Sequence, residues 1–495
     1  MFKAFLEQAG LEEHQHQVEG VEWCLQKEKE GVFISTPTTE KTIHGGIIAD
    51  EMGLGKTIQL VGTMFSNEKP HTLIVLPKAL LDQWIHVIKK MLKQKPLIYH
   101  GIWKKDITID QIKSYPVVIT TYGMISAKAQ GQKLRQGQAD TALSLLHQVN
   151  WDRIIFDEAH HMRNNKTNIF NGAVKLQAQI KWLVTGTPIQ NKRSDLYSLC
   201  ELLGLPSKYF TSPANLPIFR ENFILHRTKE STGLSLPKLT VQTIHVPWTN
   251  AYECNLSEDI HEIFKFSHIS KKEVNTPACL LGEYTLVALL RARQVCILPH
   301  LLSSNYEKYI KQQQQIINLD NHEEIVEAIN SSSKMDIVIK TIVDRKDNGK
   351  PKLIFCHFRG EIDYIKESLI ENGLTVESFD GRTNEKQRHT ILTNTKIEAL
   401  ILQIQTGCEG LNLQQFCEVY FISPHWNPAI EDQAIARCHR FGQKEDVDVY
   451  RFNMTSTSSS TSSSSTSTST IDEYSFSVQE KKRVLMDEIY AIDQE

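Results

Sequence analysis

Short apolar runs, each closed by small or polar residues, recur through the first part of the chain with helix-length segments between them: GGIIAD (45–50), TLIVLP (72–77), VVITTY (117–122), RIIFDEAH (153–160) and KWLVTGTP (181–188). Runs without polar alternation suit strands buried on both faces, and the spacers supply the crossover helices that a parallel sheet needs. The rhythm restarts at KLIFCHF (352–358) and continues through TVESFD (375–380), ALILQIQTG (399–407), EVYFISP (418–424) and VDVYRF (447–452). The pattern predicts an α/β protein of two parallel-sheet lobes, over 1–235 and 331–454, with a cleft between them as the natural site.

Between the lobes, 236–330, the pattern turns to polar, helix-like stretches such as HEIFKFSHISKKE and LVALLRARQVCIL, followed by a Gln run at 312–315. This reads as a helical connector, either one that sets how the lobes face each other or a plain spacer. The run TSTSSSTSSSSTSTST (455–470) has almost nothing to bury and predicts a disordered insertion, after which 471–495 reads as a closing helix.

Composition changes this picture little. The 495 residues are 40% hydrophobic and 23% charged, ordinary for a soluble globular protein of two or three domains. The N-terminus lacks a signal-peptide core and no apolar run approaches the roughly 20 residues that span a bilayer, so an intracellular protein without a membrane partner is expected. Nine cysteines stand without a C-x-x-C pair, which suggests neither a zinc site nor a disulfide framework. The formal net charge of −3 neither requires nor excludes nucleic acid, because a groove needs only a local basic surface.

Three stretches carry chemistry. In IIADEMGLGKT (47–57), an apolar strand, a glycine-rich turn and a helix end in Gly55-Lys56-Thr57. Such a turn holds phosphate oxygens on backbone N–H groups; Lys56 would reach the β and γ phosphates and Thr57 would bind Mg²⁺. Yet the usual phosphate loop has glycine where Asp50 stands, and a chance Gly-Lys-Thr is common. Next, RIIFDEAHH delivers Asp157 and Glu158 to a strand end. Asp157 would hold Mg²⁺ and Glu158 would orient and deprotonate an attacking water, the alternative being a solvated acidic turn. Finally, EDQAIARCHRFGQ (431–443) places Arg437 and Arg440 three apart, on one face of a helix. Two such guanidinium groups can neutralise charge on a transferred phosphoryl group, although an exposed Arg pair is commonly a solvated face.

Taken with KWLVTGTPIQN (181–191), these stretches resemble the helicase-like ATPases of superfamily II, in particular the Swi/Snf chromatin-remodelling family. HQVEGVEWCLQ (16–26) resembles that family's opening motif, which implies that Gln17 contacts adenine. ADEMGLGKT resembles its phosphate loop, in which aspartate is normal at the first position; the cofactor-binding set implied is Asp50, Glu51, Met52, Gly53, Leu54, Gly55, Lys56 and Thr57. LIVLPKALLDQW (73–84) and VVITTYGMI (117–125) resemble strand-contacting motifs, Asp157-Glu158-Ala159-His160 a DEAH box, and SPHWNPAIEDQAIARCHRFGQ (423–443) the last motifs at nearly every position. FILHRTK (223–229), LLRARQVC (289–296) and SSKMD (332–336) match segments found between the lobes. Departures are IQTGCEGLNL (404–413), where Thr406 and Cys408 replace alanine and glycine in a coupling loop, and His226 in place of arginine.

The resemblance implies two RecA-like lobes and an ATP-dependent double-stranded DNA translocase using ATP and Mg²⁺. By motif position, Lys78, Thr121, Tyr122 and Asn191 contact DNA phosphates, and Trp426 offers an aromatic face to the duplex. Duplex DNA, with nucleosomes or other DNA-bound proteins, would be the partner, in the nucleus or, for a viral gene, the viral factory or virion. A strand-separating DNA or RNA helicase and a catalytically silent DNA-binding scaffold remain the alternatives.

Overall fold

The apolar runs become strands because alternate residues of each are taken up by cores on opposite faces of a sheet. Leu73 and Val75 enter one core, Ile74 and Leu76 the other; Ile154 and Phe156 oppose Ile155 in the same way. These contacts are seen in a computed structural model that describes every residue except 38, 129–142, 189–192, 266–284, 308–321, 395, 408–410, 457–468 and 491–495. The chain divides into two compact units, Met1–Ser235 together with Leu485–Glu495, and Leu236–Val484. No helix among the described residues is long and apolar enough to cross a membrane.

The first unit holds β1 (Val32–Thr36), β2 (Thr39–Ile48), β3 (Thr72–Leu76), β4 (Leu97–Tyr99), β5 (Val117–Thr121), β6 (Trp151–Asp157), β7 (Ala178–Val184) and β8 (Ile224–Leu225). Their order is β1-β2-β7-β6-β3-β5-β4, with β8 also on β2. Every pairing is parallel except the β1–β2 hairpin. The carboxyl ends of β2, β6 and β7 therefore lie side by side, each followed by one of the motif loops.

The second unit is built from β9 (Leu239–Val246), β10 (Lys352–Cys356), β11 (Val376–Phe379), β12 (Ala399–Gln403), β13 (Glu418–Phe421) and β14 (Val447–Met454), all parallel in the order β11-β12-β10-β13-β14-β9. The fold class is thus α/β with two parallel-sheet units, as the spacing of apolar runs indicates. One expectation needs correction: the segment read as a helical connector opens with a strand. β9 pairs with β14 from Leu239 to Val246, and as an edge strand with Leu239 and Val241 exposed it shows no apolar run. The helices Ala251–Lys265, Thr285–Ile297 and His322–Asn330 that follow bury Leu256, Ile260, Val295 and Ala328 in the same core as Ile354, Ile401 and Tyr420.

The Gln run and most of the Ser/Thr run lie outside the described residues. The stems of the latter are held together. Ser456 N and Oγ and Thr470 N all donate to the Glu473 carboxylate, at 3.1, 3.2 and 2.9 Å.

A buried charge ties the first unit together. Glu28, on the helix Gln15–Lys29, accepts from Arg153 Nε (2.6 Å) and Nη2 (2.5 Å) on β6, from Trp182 Nε1 (2.8 Å) on β7, and from Asn67 Nδ2 (2.7 Å) just past the helix Lys56–Ser66. Each oxygen receives two donors. Removing one member of a buried pair costs about 3–5 kcal/mol because it strands the other charge. Arg153→Met should therefore lower the thermal transition by roughly 10 °C, and adding Glu28→Leu should recover much of the loss. A single variant as stable as wild type would show that Glu28 does not depend on its partner.

Candidate active site

β2 delivers the chain to Asp50, and the loop from Glu51 to Gly55 turns it into the helix Lys56–Ser66. Left-handed backbone in this loop is confined to Gly53 (φ 100°) and Gly55 (φ 79°), so position 50 has no need of glycine. Gly55 caps the helix with no side-chain hydrogen bond, which presents the helix N-terminus and its positive dipole end to an anion. Lys56 Nζ donates to the carbonyl oxygens of Asp50 (2.6 Å) and Glu51 (3.3 Å), which holds the ammonium on the inside of the loop. The loop after β7 comes close here. A Cβ added to Gly186 would meet Met52 Cγ at 2.9 Å and Lys56 Nζ at 3.4 Å, so a larger residue there would have to push the Met52 side chain aside.

The Asp50 side chain is turned away from the loop's interior. Fully buried, it accepts from Gln59 Nε2 (3.0 Å), Arg227 Nε (3.1 Å) and Arg227 Nη2 (2.5 Å). Arg227 also donates to Gln59 Oε1 (3.1 Å) and to the His16 carbonyl. The Asp50 carboxylate braces the loop from behind, while its carbonyl holds Lys56. Glu51 is likewise engaged, with Lys229 Nζ at 3.0 Å and Lys229 N at 2.7 Å. Leu54 is buried, and its carbonyl gathers His16 Nε2 (3.1 Å) and Gln17 Nε2 (3.4 Å). Gln17 thus sits on the loop, and Thr57 follows Lys56 in the first turn of the helix.

β6 ends in Asp157 and Glu158. Asp157 is buried; its Oδ2 accepts from Trp84 Nε1 (2.7 Å) and its Oδ1 from Glu158 N (3.0 Å). Burial first, and the Glu158 charge second, push its carboxyl above the usual carboxylate range. Glu158 holds a left-handed backbone (φ 52°), shared among described non-glycine residues only with Lys93. Such a conformation costs of order 1–3 kcal/mol and is retained where function or packing over-determines it. The Glu158 carboxylate lies 3.2 Å from His160 Nδ1, which is also 3.3 Å from Thr185 Oγ1, so the ends of β6 and β7 share one polar cluster. A hydroxyl at Thr57 and a carboxylate at Asp157 with acceptor capacity to spare are oxygens of the kind that magnesium takes beside phosphate oxygens and waters.

The candidate DNA contacts separate. Lys78 is exposed in the turn after β3. Thr121 and Tyr122 are buried: Thr121 Oγ1 lies 3.1 Å from His100 Nδ1, and the Tyr122 hydroxyl donates to the Asp157 carbonyl (2.7 Å). Their side chains face inward, toward His100 and Asp157. Asn191 lies outside the described residues. Trp426, in the second unit, is half-buried, with the Arg293 guanidinium 5.7 Å from its ring centroid and the Tyr474 ring edge-on to it, the two centroids 6.0 Å apart.

Arg437 and Arg440, both half-buried in the second unit, do not share a helix face. The helix Pro428–Cys438 stops two residues before Arg440, because His439 leaves helical backbone to bond the Pro237 carbonyl (2.8 Å) and Gln443 Nε2 takes the Cys438 carbonyl (3.2 Å). The two charges still sense each other: burial first, then Arg437, lowers the pKa of Arg440. Sequence reasoning passed over Arg227, Gln59, Trp84 and Gly186. All stand in stretches quoted for other residues or beside them; for Arg227 the signal was its place next to His226 in FILHRTK.

If Asp50 braces rather than binds, then Asp50→Gly, which restores the usual loop pattern, should weaken nucleotide binding and cost about 3–5 kcal/mol by stranding Arg227. Nucleotide titration and thermal unfolding of this variant check both parts; tighter binding in Asp50→Gly would refute the assignment.

Residues 16–301 match the model of the SNF2-related domain, and residues 333–442 that of the helicase conserved C-terminal domain. The chain is 28% identical to a probable global transactivator of Orgyia pseudotsugata multicapsid polyhedrosis virus, covering 88% of this chain and 85% of that one. It is 26% identical to the DNA repair protein RAD5B of Arabidopsis thaliana and 25% to RAD5 of Saccharomyces cerevisiae, covering 85% and 91% of this chain but only 44% and 54% of theirs. Among solved structures, the Sulfolobus solfataricus SWI2/SNF2 ATPase core in complex with dsDNA matches at 23% identity over 90% of this chain and 88% of that one, with a TM-score of 0.39. With a family model matched over more than half of its length, the chain belongs to the SNF2-related family and carries that family's helicase-like ATPase core.

Proposed function

We propose that this protein is an ATP hydrolase stimulated by double-stranded DNA, and that it couples hydrolysis to movement along the duplex and so to remodelling of DNA–protein complexes. The observation that carries the reading is the convergence, at neighbouring strand ends, of the Gly53–Lys56 loop, the Asp157–Glu158 pair and the Gly186 loop packed on Met52 and Lys56. Names of relatives that concern DNA repair agree with a DNA partner. The viral relative keeps both a nuclear and a viral setting in view.

In this mechanism the loop N–H groups and Lys56 hold the β and γ phosphates, Gln17 reads adenine, and Thr57 with Asp157 would hold Mg²⁺. When bound, that ion supplies positive charge to the phosphate oxygens. Glu158 orients the attacking water and takes its proton; its left-handed backbone and the His160 contact fix the carboxylate at the end of β6. Arg437 and Arg440 supply the second unit's charge to the transferred phosphoryl group. Lys78 and Trp426 contact the duplex, and because phosphates carry no sequence, binding falls with salt and depends little on base order.

Lys56→Ala should weaken ATP binding, whereas Glu158→Gln should bind ATP and not turn it over, since one group meets ground-state phosphates and the other the water. ATPase and nucleotide-binding assays of the pair separate these roles; near-wild-type turnover in Glu158→Gln would remove the base assignment. Arg440→Ala should bind ATP normally and lose about 10³-fold or more of DNA-stimulated turnover. An equal loss of affinity would mean a ground-state contact instead. The decisive experiment compares ATPase rate without nucleic acid and with single-stranded DNA, duplex DNA and RNA, alongside triplex displacement and unwinding of a tailed duplex. Strongest stimulation by duplex, triplex displacement and no unwinding are expected; efficient unwinding, or stimulation by RNA alone, would replace the translocase with a strand-separating helicase.

A further inference from the structure

Two residues in the segments that resemble strand-contacting motifs do not face a strand. Trp84, on the helix Leu81–Val87, is 1% exposed and gives its single indole N–H to Asp157 Oδ2 at 2.7 Å. Tyr122, the first residue after β5, gives its hydroxyl to the Asp157 carbonyl at 2.7 Å, and its ring lies 5.2 Å from that of His161 in the turn after Asp157. β3 lies between β6 and β5, so the two donors arrive from the connections after β3 and β5 and converge on the end of β6. One fixes the side chain of Asp157 and the other its main chain.

We propose that Trp84 and Tyr122 are positioning residues for the Asp157 carboxylate, and that through them the connections after β3 and β5 set how strongly the site holds Mg²⁺ with nucleotide. The proposal rests on the ATPase reading above. A buried tryptophan N–H needs an acceptor, and any carbonyl would satisfy it. Here the acceptor is one oxygen of the carboxylate assigned to the ion, and a second, independent donor restrains the same residue. Without the indole N–H that oxygen is left buried and short of a donor, and only the Glu158 N–H on Oδ1 still resists turning of the carboxylate about its last torsion. Partners behind a ligand of this kind typically alter metal affinity or activity about 10–100-fold when removed. The exposed Lys78 stands six residues before Trp84, in the turn that leads into its helix. A phosphate drawn to Lys78 therefore acts on the element that carries the indole, which links DNA contact to the hydrolytic carboxylate.

The test uses the full chain with Trp84→Phe, which keeps a ring and removes the N–H, and Tyr122→Phe, which removes only the hydroxyl. ADP affinity is measured in EDTA and in Mg²⁺, and kcat and KM for ATP are measured with saturating duplex DNA. In Trp84→Phe, the affinity gained from Mg²⁺ and the value of kcat should each fall about 10-fold or more, with ADP affinity in EDTA unchanged. Tyr122→Phe should move the same two quantities by a smaller factor. A wild-type Mg²⁺ gain and wild-type kcat in Trp84→Phe would overturn the proposal, as would an equal loss of ADP affinity with and without Mg²⁺. Should Trp84→Phe fail to fold, Tyr122→Phe decides by the same criteria. A wild-type chain without turnover would sink the ATPase reading, while the ADP measurements would still decide this one.

Discussion

A carboxylate without water survives only where donors replace the whole of its hydration, and Glu28 is such a group. Its four donors come from β6, from β7 and from the end of the phosphate-loop helix. Glu28 and Gln17 lie eleven residues apart on one helix, close to three full turns and roughly 16 Å, so they project from the same face. Fixing Glu28 against the sheet therefore fixes the direction in which His16 and Gln17 reach the Leu54 carbonyl. The strands that carry Asp157 and Gly186 are held by the same charge. An apolar residue at position 28 would bury as well, but it would not demand this one arrangement of helix and strands.

Asp50 extends the same logic to the loop. Its partner Arg227 lies 177 residues further along the chain, on the segment that follows β8. A motif position that departs from the common pattern is thus matched by a cation from the far end of the unit. The main chain runs alongside too, with Ala49 N on Leu225 O at 2.7 Å and Glu51 N on Arg227 O at 2.9 Å. Strand end, phosphate loop and returning segment are bonded to one another, and the loop's shape depends on residues far from Gly-Lys-Thr in sequence.

The central strands of both sheets were legible in the sequence because strands buried on two faces are built mostly from apolar residues. β9 was hidden because an edge strand meets water: LTVQTIHV carries β-branched residues but no apolar run. The loop, the DEAH pair and their strand ends were legible for a related reason, since ligand-binding residues follow the carboxyl ends of such strands. Side-chain direction was not. Tyr122 and Trp84 turn inward because the nearest unsatisfied acceptors belong to Asp157, and Arg440 leaves its helix because His439 finds the carbonyl of Pro237, 202 residues away in the chain. Local periodicity sees neither partner.

The clamp at Glu473 has a consequence for how this chain can change over time. One carboxylate takes up donors from Ser456 and Thr470, so the span between the two stems is set by the folded unit. For a chain whose ends are already held, doubling the length between them adds only about 0.6 kcal/mol of closure entropy. Lengthening or shortening by whole repeats, as copying errors in a Ser/Thr-coding tract produce, would leave β14 and the last helix where they are. Between these two stems a lineage can gain new sequence, or an engineer add a reporter domain, without renegotiating the core.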